Sequence, residues 1–294
     1  MRNLGGILII VAGCFWGTMG IFVRDFTAMG FTTMQIAAIR LAVAAVVLGV
    51  GLLLVRPRLF RVKLRDLPLL ALLGVLSIGI MGYLYFTTIG LSTLSVAAVL
   101  LYLSPVVVTI LSYFVFKEPI GLCKKISVIL AVIGCALVSG IVGQNALGAT
   151  ALLTGIGSAI TYGSYSILGP IALKKYSPFT VTFYAFGAAA VVLFCLSNPM
   201  DLIQKIGYMP DCGGFVLHSI GIGTCTALIP FVLYTVGLVY TTPSQAAVLA
   251  CTEPIAATVI GMMVYREFPD WFGYMGILLV MIAIVLIGKE KSKI

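Results

Sequence analysis

The feature that most constrains this chain is a near-continuous succession of apolar runs, each divided from the next by only a few charged, Pro or Gly residues. At ~1.5 Å per helical residue, a run of about 20 residues matches a hydrocarbon core about 30 Å thick. Soluble helices and strands keep a polar face toward water at their own period; these runs keep none. Hydrophobic residues make up 61% of the 294 and charged residues only 9%, where a soluble domain carries roughly 25% charged. In hydrocarbon every backbone N–H and C=O must find its partner within the segment or in a closed barrel, so the runs read as helices. The expected class is an all-α integral membrane protein.

Cutting at charges, prolines and glycine clusters gives ten spans, at 5–23, 33–55, 67–89, 95–116, 122–141, 149–171, 179–197, 213–236, 243–264 and 271–288. The net charge of +9 is distributed in short clusters between them. That is the distribution of a topology signal, not the continuous stripe of a nucleic-acid-binding surface. With the N-terminus in the cytoplasm, Arg2, Arg56, Arg58, Arg61, Lys63, Arg65, Lys117, Lys124, Lys125, Lys174, Lys175, Lys289, Lys291 and Lys293 fall inside. Only Arg24, Lys205 and Arg266 fall outside, and Arg40 lies within a span. A multi-pass protein of the cell (inner) membrane with both termini cytoplasmic is expected.

An internal repeat is the most specific signal. Ala97-Ala98-Val99-Leu100 returns as Ala246-Ala247-Val248-Leu249, Pro105 as Pro254 and Glu118 as Glu267, all at an offset of 149 residues. Tyr85 and Tyr234, Thr109 and Thr258, and Leu130 and Leu279 keep the same register. The early spans repeat more weakly, Trp16-Gly17 with Tyr162-Gly163. The expected units are residues 1–145 and 146–294, each of five helices. An odd number forces the second copy to run the opposite way, and inverted repeats of this kind belong to carriers that work by alternating access around a midplane site.

On these residues the chain resembles the drug/metabolite transporter superfamily, within it the EamA-type carriers of ten spans. The pieces that carry the resemblance are the short connection at 91–94, Ser104-Pro105 with Glu118, Glu253-Pro254 with Glu267, and Gly30-Phe31-Thr32 leading to Arg40. The resemblance implies a secondary carrier with a central cavity and with the fifth and tenth spans peripheral. It implies export of a small metabolite, amino acid or drug-like compound and names no substrate.

Among candidate site residues Glu253 stands first, about ten residues and so about 15 Å into its span. A carboxylate there costs about 2.5 to 3.5 kcal/mol on an insertion scale, so it is expected to be paired, protonated or facing a watery cavity. Coupling or substrate binding stands beside capping of the backbone that Pro254 frees. Arg40 snorkels as a structural cation or meets an anionic substrate group or Glu253. Pro105 and Pro254 each remove a backbone donor and kink a helix, as flexing points or as static bends. Trp16, Tyr83, Tyr102, Tyr162 and Tyr234 are candidates to line the path, with Ser104 before the first proline and Gln245 on the stripe of small residues that carries Glu253.

Other chemistry finds little support. The seven cysteines show no CxxC spacing, Gly155-Ile156-Gly157 and Gly221-Ile222-Gly223 do not extend into a phosphate-binding loop, and the single histidine, His218, has no serine partner in a catalytic motif. No metal, cofactor, nucleic acid or catalysis is expected. The partners expected are a small-molecule substrate, membrane lipid and, for coupling, protons, with the chain a monomer or a homodimer. An uncoupled facilitator or channel is the alternative.

Overall fold

The structure, a computed structural model, describes residues 2–92, 94–138, 148–209 and 211–289. The junction expected at 145 and 146, and Lys291 and Lys293, lie outside these residues. Helices dominate: α1 (Arg2–Gly17), α2 (Met19–Ala28), α3 (Thr33–Val55), α4 (Leu67–Gly74), α5 (Met81–Leu91), α6 (Leu94–Leu101), α7 (Ser104–Phe116) and α8 (Leu122–Val138). They are followed by α9 (Ala149–Leu173), α10 (Pro178–Leu196), α11 (Pro199–Gly207), α12 (Cys212–Gly223), α13 (Ile229–Tyr240), α14 (Pro243–Ala250), α15 (Thr252–Ile260) and α16 (Trp271–Lys289). Several run on into one another, and the result is eight helical segments long and apolar enough to cross a membrane.

The two expected spans outside that set are helical as well. Of the first, α8 covers 17 described residues. The second, α9, is 25 residues long but diluted by Thr150, Thr154, Ser158, Thr161, Ser164 and Ser166. Its neighbours explain the polarity, because α9 is enclosed by α5, α6, α7, α13 and α14. Thr161 and Ser158 donate back to the carbonyls of Gly157 and Gly155, which satisfies the hydroxyls within the helix. Ser164 bonds Ser77 at 2.6 Å and Thr154 accepts from Thr88 at 2.9 Å, tying α9 to the neighbouring helix.

Interruptions fall where proline chemistry puts them. Pro105 has no N–H for the carbonyl of Leu101, and the helix breaks at Tyr102 and Leu103 before restarting as α7. Pro254 stands in the same relation to Ala250, and α14 gives way to α15 at Cys251. Several backbone irregularities share the sequence offset. π-turns occupy Val75–Ile80 and Thr224–Leu228. Lys117 and Arg266, the residues after α7 and after the π-turn at Gly261–Tyr265, both take the left-handed conformation with φ 56°. The N–H of Glu118 then reaches the carbonyl of Ser112, and that of Glu267 the carbonyl of Gly261.

Helices alternate between two ends of the bundle. One end gathers Asp66, which accepts from Lys175 Nζ at 2.6 Å and from the Tyr176 hydroxyl at 2.8 Å, and the buried pair Lys124 to Glu118 at 2.7 Å. The other end carries Arg24 with Glu267, Lys205 with Asp201, and Asp25 beside His218. The described basic residues that the charge pattern assigns to one side, from Arg56 to Lys289, share the first end.

Small residues set the closest helix contacts. A Cβ on Gly17 would stand 2.6 Å from the Ala256 Cβ, and one on Gly13 3.0 Å from the Thr252 Cβ. The Gly13-xxx-Gly17 motif is therefore spent inside the chain, seating α1 on α15. At the periphery α8 and α16 pack on each other, where a Cβ on Gly134 would lie 2.7 Å from Val280 Cγ2 and 2.8 Å from the Gly276 carbonyl oxygen.

Candidate functional site

A cavity of about 120 Å³ opens inside the bundle. Its wall takes Trp16 from α1, Met19 from α2, Arg40 from α3, Met81 and Tyr85 from α5, Tyr102 from the break after α6, Tyr162 from α9, Phe231 from α13 and Glu253 from the first turn of α15. Counting along the helices, Arg40 is about 10 Å from the start of α3 at the Glu267 end. The cavity thus lies in the half of the bundle nearer that end.

Trp16 is buried because α1 turns its inner face to α13: its ring meets Phe231 edge-on at 5.3 Å and lies 5.5 Å from Tyr234. Tyr234 supports Trp16 from behind and shares a 2.7 Å hydrogen bond with Ser166. Tyr165, next to the cavity, bonds Thr235 at 2.7 Å. These hydroxyl pairs hold the aromatic wall in place without exposing an unsatisfied group to an apolar interior.

The two charged groups of the wall are short of partners. Arg40 is 9% exposed, its Nη1 lies 2.9 Å from the Met19 sulfur, and its Nε is buried with no hydrogen-bond partner among the described residues. Among the described residues Glu253 has no ion-pair partner within 4.0 Å, Arg40 included. A buried polar atom left unmatched costs on the order of 1 to 3 kcal/mol. That cost falls on Arg40 Nε, while Glu253 is half-buried on the same cavity.

The residues expected from the sequence divide accordingly. Trp16, Arg40, Tyr102, Tyr162 and Glu253 meet at the cavity. Tyr83 turns away and is 45% exposed, whereas Tyr85, two positions on, faces inward. Ser104 is buried at the helix break and Gln245 lies at the Glu118 end, its Nε2 3.5 Å from the Ile287 carbonyl. His218 stays at the surface, its Nε2 3.7 Å from Asp25. Met19, Met81 and Phe231 are wall residues that no motif marks; only the three-dimensional packing selects them from many apolar neighbours.

Residues 3–140, and again 149–289, match the EamA-like transporter family. The chain belongs to that family. An uncharacterized transporter of Archaeoglobus fulgidus is 28% identical over 268 residues, covering 90% of this chain and 88% of its own. The uncharacterized transporter YwfM of Bacillus subtilis is 24% identical over 294 residues, or 99% and 96% of the two chains. A solved crystal structure superimposes with a TM-score of 0.80 over 97% of this chain and 96% of its own at 15% identity, which shows the shared fold. The EamA-like protein is a multi-pass membrane transporter.

Proposed function

We propose that this EamA-like transporter is a secondary carrier that moves a small metabolite bearing both an anionic and a cationic group, an amino acid among the candidates, by alternating access. The observation that carries the reading is the pairing of Arg40 and Glu253 on one aromatic cavity without an ion pair between them. Arg40 suits a carboxylate, Glu253 suits an ammonium or a proton, and Trp16, Tyr85, Tyr102, Tyr162 and Phe231 suit an apolar side chain. A volume of about 120 Å³ favours such a solute over drug-like compounds, whose sites run to roughly 300–1,000 Å³.

The carrier is built of ten spans in two inverted five-helix units, 1–145 and 146–294, with both termini cytoplasmic. The recurrence of π-turns, proline breaks and left-handed caps at one offset supports the two-copy reading. Export is the direction the family resemblance implies, and protons are the coupling ion that a carboxylate in the bundle interior favours.

Purified protein in liposomes, screened with amino acids, nucleosides and amphipathic cations, tests this. A zwitterion should be transported, and a Glu253→Gln variant should lose gradient-driven accumulation at least tenfold. Unchanged accumulation by that variant at every imposed pH gradient removes the coupling role, and single-channel currents would replace the carrier by a channel.

A further inference from the structure

Outside the cavity, a polar cluster stands at the opposite end of the bundle. Glu118 follows α7, in the first half of the chain, and is 8% exposed. One carboxylate oxygen accepts from Lys124 Nζ at 2.7 Å and the other from the hydroxyl of Ser244 at 3.0 Å. Lys124 also donates to the Pro119 carbonyl at 2.8 Å. Ser244 is wholly buried in the first turn of α14, in the second half. A single buried carboxylate thus ties the two halves together across 126 residues of sequence.

The counterpart of Glu118 at the 149-residue offset is in a different state. Glu267 lies at the far end of the helical segment that begins at Pro243, it is 57% exposed, and its side-chain partner is Arg24 on α2, at 2.9 Å. One end of the bundle is therefore latched by a buried acid, while its equivalent at the end nearer the cavity stands in the open. The same offset carries Ser244 onto Ser95. The sequence thus repeats an acid and a serine at one offset.

We infer that Glu118 and Ser244 form the gate that closes the Glu118 end of the transport path, and that opening this end breaks their hydrogen bond. The inference rests on the alternating-access reading. Lys124 stays with Glu118 in both states, since both belong to the first half and leaving either charge alone in the interior would cost more than parting from a neutral serine. Ser244 is thus the switched partner and Glu118 with Lys124 the fixed one.

The test uses accessibility, not transport. Thr241 is 7% exposed and sits beside Pro243 at the Glu118 end. A Thr241→Cys reporter in full-length protein, with the native cysteines replaced, is exposed to a membrane-impermeant maleimide in open membranes. Ser244→Ala should raise the labelling rate at least threefold, and Glu118→Gln should raise it further. Asp201→Asn, which removes a part-exposed ion pair at the other end and leaves this contact untouched, should leave the rate within a factor of about 1.5. Labelling unaffected by Ser244→Ala overturns the gate. Because Glu118→Gln leaves a buried lysine unpaired, Ser244→Ala decides if the glutamate variant does not fold. A channel current with normal gate labelling would instead overturn the carrier reading.

Discussion

Trp16 shows how much one side chain contributes to this architecture. Its indole spans the distance between the cavity and the support formed by Phe231 and Tyr234. Truncation leaves a void, and in well-packed cores Trp→Ala costs about 3 to 5 kcal/mol. Trp16→Ala should therefore lower the melting temperature and raise KM, while Trp16→Phe should keep the fold and lose less affinity. Thermal-shift and liposome uptake measurements on both variants check this; a normal KM for Trp16→Ala would take the residue out of the site. Tyr83 and Tyr85 make the complementary point. Two residues on a helix are about 200° apart around the axis, so neighbours of identical chemistry fall one outside and one inside.

At the scale of elements, α11 is a short helix lying against the bundle at the Glu267 end. Its Leu202 is buried with Phe26, Phe31 and Ile222, and its Asp201 accepts from Lys205 Nζ at 2.9 Å and from Gln35 Nε2 at 2.6 Å. The bond with Lys205, and after it the bond with Gln35, holds the Asp201 carboxyl below the usual carboxylate range. A group whose folded pKa is depressed contributes stability above its unfolded pKa, about 3.9 for Asp, and loses it as the pH falls through the folded value. Docking of α11 should accordingly weaken below about pH 4 on that reference, and Asp201→Asn should flatten the dependence. Hydrogen exchange of 199–207, measured in the wild type and the variant at neutral and acid pH, reads this directly. Equal acid sensitivity in both would assign the effect to other groups.

The proline breaks, left-handed caps and α8–α16 pairing belong to the same scale, and of these the proline breaks were legible. Proline removes a donor wherever it stands, so the interruptions near Pro105 and Pro254 follow from the sequence alone. The polar helix α9 was legible as a span by length and position, but the reason for its hydroxyls emerges only from its enclosure by other helices.

For the whole molecule, the ends of the bundle carry unequal charge, with the cluster Arg56 to Arg65 at one end and Lys205 at the other. By the positive-inside rule the first end is expected to face the cytoplasm. In protein with its native cysteines replaced, Arg61→Cys should react with an impermeant thiol reagent only in inside-out vesicles, and Lys205→Cys only from the cell exterior. The reverse pattern would invert the topology.

The sequence by itself determined the membrane class, the helical spans, the offset of the repeat and the two charged groups inside the bundle. These depend on local chemistry: hydrocarbon demands internal hydrogen bonding, proline ends a ladder, and a charge in an apolar run cannot be neutral to its surroundings. Tertiary structure decided which aromatic residues face the cavity, that Arg40 and Glu253 share it without closing on each other, and that Glu118 is buried on Ser244 while Glu267 is exposed. The acid repeated as Glu118 and Glu267 reads alike in sequence, and only the packing around each decides that one is buried and the other exposed.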